Sequence, residues 1–136
     1  MDVWRNSSPE SPPCRGRILV IDDNPSILET LRCFLPTLGH LPTLAEDPEE
    51  GLKIAAKCPV DLVLTDYEMP GMSGLAVCTT IKRIPALRHL PVVLMTGRPS
   101  PELFGQAFAA GARAVITKPF DLNLLETTLA DSLARP

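Results

Sequence analysis

No apolar run in this chain approaches the roughly 20 residues that a helix needs to cross a bilayer. The opening stretch MDVWRNSSPESPPCRGR also lacks the continuous apolar segment of a secretion signal, which points to a cytoplasmic protein. Cysteines are few and scattered. Cys14, Cys33, Cys58 and Cys78 never fall in a Cys-x-x-Cys spacing, so neither a zinc centre nor a dithiol redox pair is indicated, and they read as small buried hydrophobes. His40 and His89 each stand without a Cys, Asp or Glu at ligand spacing and read as structural. Basic residues form no cluster and the net charge is −3, which argues against a direct grip on nucleic acid phosphates. There is no internal repeat or low-complexity block to suggest an array.

What is present fits one globular domain of 136 residues, with 45% hydrophobic and 21% charged positions. The proline- and serine-rich residues 1–16 read as a flexible tail, and 17–134 as the folded domain. Apolar runs of strand length recur: ILVI at 18–21, the weaker HLPTLAE at 40–46, VDLVLT leading to Asp66, PVVLMT at 91–96 and AVIT at 114–117. Pro42 lacks a ladder N–H and assigns the second of these to a sheet edge.

Helical signals fill the gaps. Asn24-Pro25 caps and opens the first helix, whose apolar face is Ile27, Leu28, Leu31, Leu35 and Leu38, with Pro36 expected to kink or end it and Gly39 closing it. Asp47-Pro48 opens a second, with Leu52, Ala55 and Ala56 facing inward and Gly51 weakening it. Leu75, Cys78 and Ile81 mark a third that Pro85 stops. Ser100-Pro101 opens a fourth that runs to Gly111, and Asp121 caps a fifth carrying Leu122, Leu125, Leu129 and Leu133. Five alternations of strand and helix with short connections predict an α/β fold, a doubly wound five-stranded parallel sheet with helices on both faces.

In such a sheet the ligand crevice lies outside the carboxyl ends of the strands. The polar groups that follow the apolar runs are Asp22 and Asp23, then Asp66, then Thr96, then Lys118. Carboxylates grouped in this way form a hard oxygen site suited to magnesium, while a hydroxyl and an ammonium supply contacts for phosphoryl oxygens. Asp66, on its own strand between the others, is the natural phosphoryl acceptor. Taken singly, each residue type is common in caps and turns; the joint placement is what carries the reading.

These segments, VIDDNP, LTDYEMPGMSG, LMTG, AAGARAVI and TKPF, in that order, resemble the receiver domains of bacterial two-component response regulators over residues 17–134. The resemblance implies strand order 2-1-3-4-5 and a flavodoxin-like fold. It implies that Asp66 takes a phosphoryl group from the phosphohistidine of a sensor histidine kinase or histidine phosphotransfer protein. Mg2+ would be held by Asp22, Asp23, Asp66 and the Glu68 backbone carbonyl, with Thr96 and Lys118 on the phosphoryl oxygens and a Lys118-Pro119 bond that is often cis. The chain would be a signalling receiver that catalyses only its own phosphotransfer and dephosphorylation. A downstream output protein would dock on the face of the fourth helix, fifth strand and fifth helix, which also leaves room for a homodimer.

Two rivals accompany this reading, an interaction module that is never phosphorylated and an Asp-nucleophile phosphohydrolase. The sequence departs from the family at Val115, where an aromatic ring that changes rotamer is usual; this moves the expected signal to the loop after Thr96. The resemblance also implies that the residues two after the acceptor Asp and two after the threonine, here Glu68 and Arg98, flank the path of hydrolytic water, where they either pair across the mouth of the site or stand as two independent solvated side chains. Phe104 and Phe108, four apart on the fourth helix, are expected to point outward while Leu103, Ala107 and Ala110 face the sheet.

Overall fold

A computed structural model describes residues 16–134. The tail expected over 1–16, with Cys14, lies outside these residues apart from Gly16, which opens the first strand. In chain order the elements are β1 (Gly16–Ile21), α1 (Pro25–Thr37), β2 (His40–Ala45), α2 (Pro48–Lys57), β3 (Leu62–Asp66), α3 (Gly74–Arg83), β4 (Val92–Thr96), α4 (Pro101–Ala109), β5 (Ala114–Thr117) and α5 (Leu122–Ala134). The sheet order is β2-β1-β3-β4-β5. All four pairings are parallel, with Ile21 opposite Thr65 and Asp66 opposite Met95. β2, with its proline, is an edge strand as its sequence predicts.

Strand alternation divides the core in two. Leu19, Ile21, Val63 and Leu94 point to one face, where Ala55, Val77, Ile81 and Ala107 of α2, α3 and α4 cover them. Ile18, Val20, Leu62, Leu64, Val93 and Met95 point to the other, under Leu28, Leu31, Leu35, Leu125 and Leu129 of α1 and α5. Each fully buried Leu or Ile contributes about 1.5–3 kcal/mol by leaving water. The strands of β3 and β4 are buried at every position, which is why they read as continuous apolar runs rather than alternating ones.

The helix starts follow the predicted caps. Asn24, Asp47 and Ser100 each accept a backbone N–H of the first turn, and Asp121 accepts two. Pro36 does not end α1 at once; it sits in the last turn, and Gly39, at φ 89°, makes the exit. Gly51 has a purpose that periodicity hides, since a Cβ there would lie 2.4 Å from Ile21 Cδ1. Its bare backbone lets α2 sit directly on the end of β1. Ala56 and Leu122, expected inside, are exposed, and Ser132 is buried in α5 instead. Cys33 and Cys58 are also exposed, and of the described cysteines only Cys78 is buried. The first two lie on the outer side of α1 and just past the end of α2, where no sheet covers them.

Candidate functional site

Four strand ends converge on one crevice. Asp22 follows β1 and is fully buried; Asp66 ends β3 at 3% exposure; Thr96 ends β4, also fully buried; Lys118 follows β5 directly and is joined to Pro119 by a cis bond. The carbonyl of Thr96 accepts the Lys118 N–H at 2.8 Å, which ties the last two together through the backbone. A crevice of about 460 Å3 opens between them and is lined by Asp22, Asp23, Asp66, Glu68, Arg98 and Lys118. Asp22, Asp23, Asp66 and Lys118, which the sequence placed at the strand ends, therefore meet in the crevice, and Thr96 joins them through the Lys118 N–H and through Glu68.

Lys118 Nζ lies between two carboxylates, 3.0 Å from Asp22 Oδ2 and 2.9 Å from Asp66 Oδ1. The two contacts are unequal. The Asp22 contact has hydrogen-bond geometry, and the other oxygen of that carboxylate accepts the Asn24 N–H at 2.9 Å. The Asp66 contact is close but misaligned, so Oδ1 is buried without an acceptable donor.

Burial pushes the Asp66 carboxyl above the usual carboxylate range, Lys118 opposes this, and the charges of Asp22 and Glu68 add to it. For Lys118, burial alone would lower the ammonium pKa, but Asp66 and Asp22 outweigh that and hold it raised. Oxygens of Asp22, Asp23 and Asp66 all lie within 4.8 Å of one another. An all-oxygen set with one under-satisfied acceptor fits a hard divalent cation.

Three features escaped the sequence. A Cβ on Gly74 would lie 2.3 Å from the Asp66 carbonyl oxygen, so only glycine lets α3 start this close behind the acid. Ser73 caps that helix through the Ala76 N–H. The Glu68 carboxylate accepts the Thr96 hydroxyl at 2.6 Å. The expected Glu68–Arg98 pair does not form among the described residues: Glu68 is turned to Thr96, and Arg98 gives its backbone N–H to the same hydroxyl at 3.0 Å. Val115 is half-buried against the core under α4. Leu103 and Ala107 face the sheet as expected, Phe104 is half-buried, and Phe108 is 54% exposed.

A parallel α/β sheet in the order β2-β1-β3-β4-β5 with an acidic, lysine-bearing crevice at its carboxyl edge defines a flavodoxin-like domain. The chain belongs to the response regulator receiver domain family, which it matches over residues 18–130. It is 33% identical over 114 residues to chemotaxis protein CheY-3 of Vibrio cholerae, covering 83% of this chain and 88% of that one. It is 36% identical over 110 residues to a probable cyclic di-GMP phosphodiesterase of the same species, covering 81% of this chain but 25% of the relative. The chain thus spans a quarter or less of several of the longer proteins that it matches. Among solved structures, Vibrio cholerae CheY4 superposes with a TM-score of 0.81 at 28% identity, covering 85% of this chain and 97% of that one. Receiver domains are phosphorylatable signalling modules that work with histidine kinases and output domains. No helix among the described residues is long and apolar enough to cross a membrane.

Proposed function

We propose that Asp66 is the phosphoryl acceptor of this receiver. The observation that carries the reading is its buried Oδ1, held against an ammonium yet short of an aligned donor. A carboxylate in that condition is poorly solvated and available as a nucleophile. Asp66 attacks the phosphorus of a phosphohistidine on a sensor histidine kinase or phosphotransfer protein; the P–N bond breaks and the histidine nitrogen leaves with the bonding pair. Lys118, already between the two carboxylates, balances the added charge on the phosphoryl oxygens, and the Thr96 hydroxyl supplies a donor. Asp22, Asp23, Asp66 and the Glu68 backbone carbonyl fit Mg2+, which when bound neutralises the anion that Asp66 approaches. Hydrolysis of the acyl phosphate by water in the same crevice returns the resting state, so the domain catalyses its own loading and clearing.

The output surface in this reading is the face of α4, β5 and α5. Phe108 of α4 and Leu122 and Leu124 of α5 stand 54%, 44% and 51% exposed, apolar side chains available to a partner or to a second copy of the chain. With an aspartyl phosphate and a kinase as its chemistry, the domain works in the cytoplasm. Incubation with acetyl phosphate and magnesium tests the centre of the proposal. Intact-mass measurement is expected to show one added phosphoryl group on the native chain and none on Asp66→Asn; labelling of the variant would overturn it.

A further inference from the structure

Thr96 is fully buried at the end of β4, and its hydroxyl has one proton to give. That proton goes to Glu68 Oε2 at 2.6 Å, a short charge-assisted bond, while the hydroxyl oxygen accepts the Arg98 N–H at 3.0 Å. The bond joins the loop after β3 to the end of β4. Glu68 is two residues past Asp66, and Asp66 pairs in register with Met95, next to Thr96. Glu68 is itself exposed and makes no ion pair with Arg98 among the described residues, so Thr96 is its partner.

A hydroxyl that donates to Glu68 cannot donate to a group arriving on Asp66. We infer that the Glu68 side chain is a latch on Thr96, an internal acceptor that a phosphoryl group on Asp66 must displace before the hydroxyl can turn to it. The inference rests on the reading of Asp66 as the acceptor. It makes Glu68 a positioning residue with two separable effects. Its backbone carbonyl would be a ligand of the proposed cation, while its side chain raises the threshold for switching by holding Thr96 in the resting arrangement. The ligand and the latch compete for one proton, so the strength of the Glu68–Thr96 bond is subtracted from the apparent affinity for the activating anion.

A simpler electrostatic effect has to be separated from this. Removing any negative charge beside the crevice favours an anion there, whether or not Thr96 is involved. The test is a double-mutant cycle with Thr96→Val, which keeps the β-branched shape and removes the hydroxyl. Beryllofluoride, a mimic of the acyl phosphate, is titrated at fixed magnesium into the native chain, Glu68→Ala, Thr96→Val and the double variant, with amide chemical shifts as the readout. Glu68→Ala is expected to bind on the order of tenfold more tightly than the native chain, the size of one partly exposed charge-assisted hydrogen bond. In the Thr96→Val background the same change is expected to shift affinity by less than about twofold, because no latched hydroxyl remains. Glu68→Gln, which keeps an acceptor without the charge, falls between.

Equal gains in both backgrounds, or no gain in either, overturn the latch. Failure of the native chain to bind beryllofluoride overturns the reading of Asp66 instead. The latch is then judged in metal-free protein by the side-chain couplings of Thr96. One χ1 rotamer in the native chain and averaging in Glu68→Ala support it; averaging in both sinks it.

Discussion

β1 and β3 run side by side, and each end of this pair sets a carboxylate beside a cation. At the amino end, Arg17 grips Asp61 with two guanidinium nitrogens, Nε at 3.0 Å from Oδ2 and Nη2 at 3.2 Å from Oδ1, and its backbone N–H adds a third donor at 2.7 Å. The carboxylate is satisfied, and the side-chain hydrogen bonds from Arg17 hold its pKa below the ordinary range. At the carboxyl end, a single ammonium is shared by two carboxylates, and Asp66 is left with a buried oxygen lacking an aligned donor and a raised pKa. The first arrangement is complete and wet; the second is incomplete and dry. Arginine's fork closes a site, whereas lysine's point charge leaves acceptor capacity for something else. The same two strands therefore end in a staple and in an under-satisfied carboxylate, and the difference lies in how many donors meet each oxygen.

The contrast is sharpened most by removing the shared cation. Lys118→Ala leaves two buried carboxylates facing each other and is expected to cost about 2–4 kcal/mol in urea unfolding, as breaking a buried ion pair does. Asp66→Asn in the same chain restores part of that loss. If the double variant is no more stable than Lys118→Ala, the repulsion attributed to the carboxyl end is absent.

Cation addition is next in size. Magnesium at about ten times its dissociation constant is expected to stabilise the chain by about 1.4 kcal/mol through mass action, seen as a concentration-dependent rise in Tm. Asp22→Asn removes that increment and Asp61→Asn leaves it intact. An equal increment in both variants would place the cation elsewhere.

The smallest effect belongs to the staple. Asp61→Asn is expected to cost about 0.5–1 kcal/mol at neutral pH, the range of an exposed pair with good geometry. Its sign with pH is fixed by the depressed pKa of Asp61. A group ionised more readily in the folded state stabilises above its unfolded pKa and stops doing so as pH falls through the folded one. The gap between native and variant should thus close below about pH 4, and a gap that stays constant to lower pH would show that Arg17 is not its source.

The sequence disclosed the strands and the acids because both are local. An apolar run ends where polar residues begin, and in a parallel sheet that boundary is also the ligand edge, so Asp22, Asp66, Thr96 and Lys118 could be placed from the order of segments alone. What stayed hidden depends on pairs of segments. Gly51 reads as a weak point in a helix until Ile21 is seen beneath it. Glu68 reads from the sequence as a partner for Arg98 or as a free solvated side chain, and only the folded arrangement of the two loops turns it to Thr96. Helical spacing placed Leu125 and Leu129 inside but could not show how far their stripe extends, and the sheet ends before Leu122.

Gly74 has a consequence for how freely this sequence can drift. Any side chain at that position collides with the backbone carbonyl of Asp66 rather than with a side chain able to move aside. Gly105, on the outer side of α4, has nothing within 4 Å of the place a Cβ would occupy. In a library randomised at both positions and selected for phosphoryl transfer, position 105 is expected to fill with alanine and other helix formers, while every survivor retains glycine at 74. The proposed acceptor thus dictates, eight residues downstream, a letter of the sequence that has no chemistry of its own.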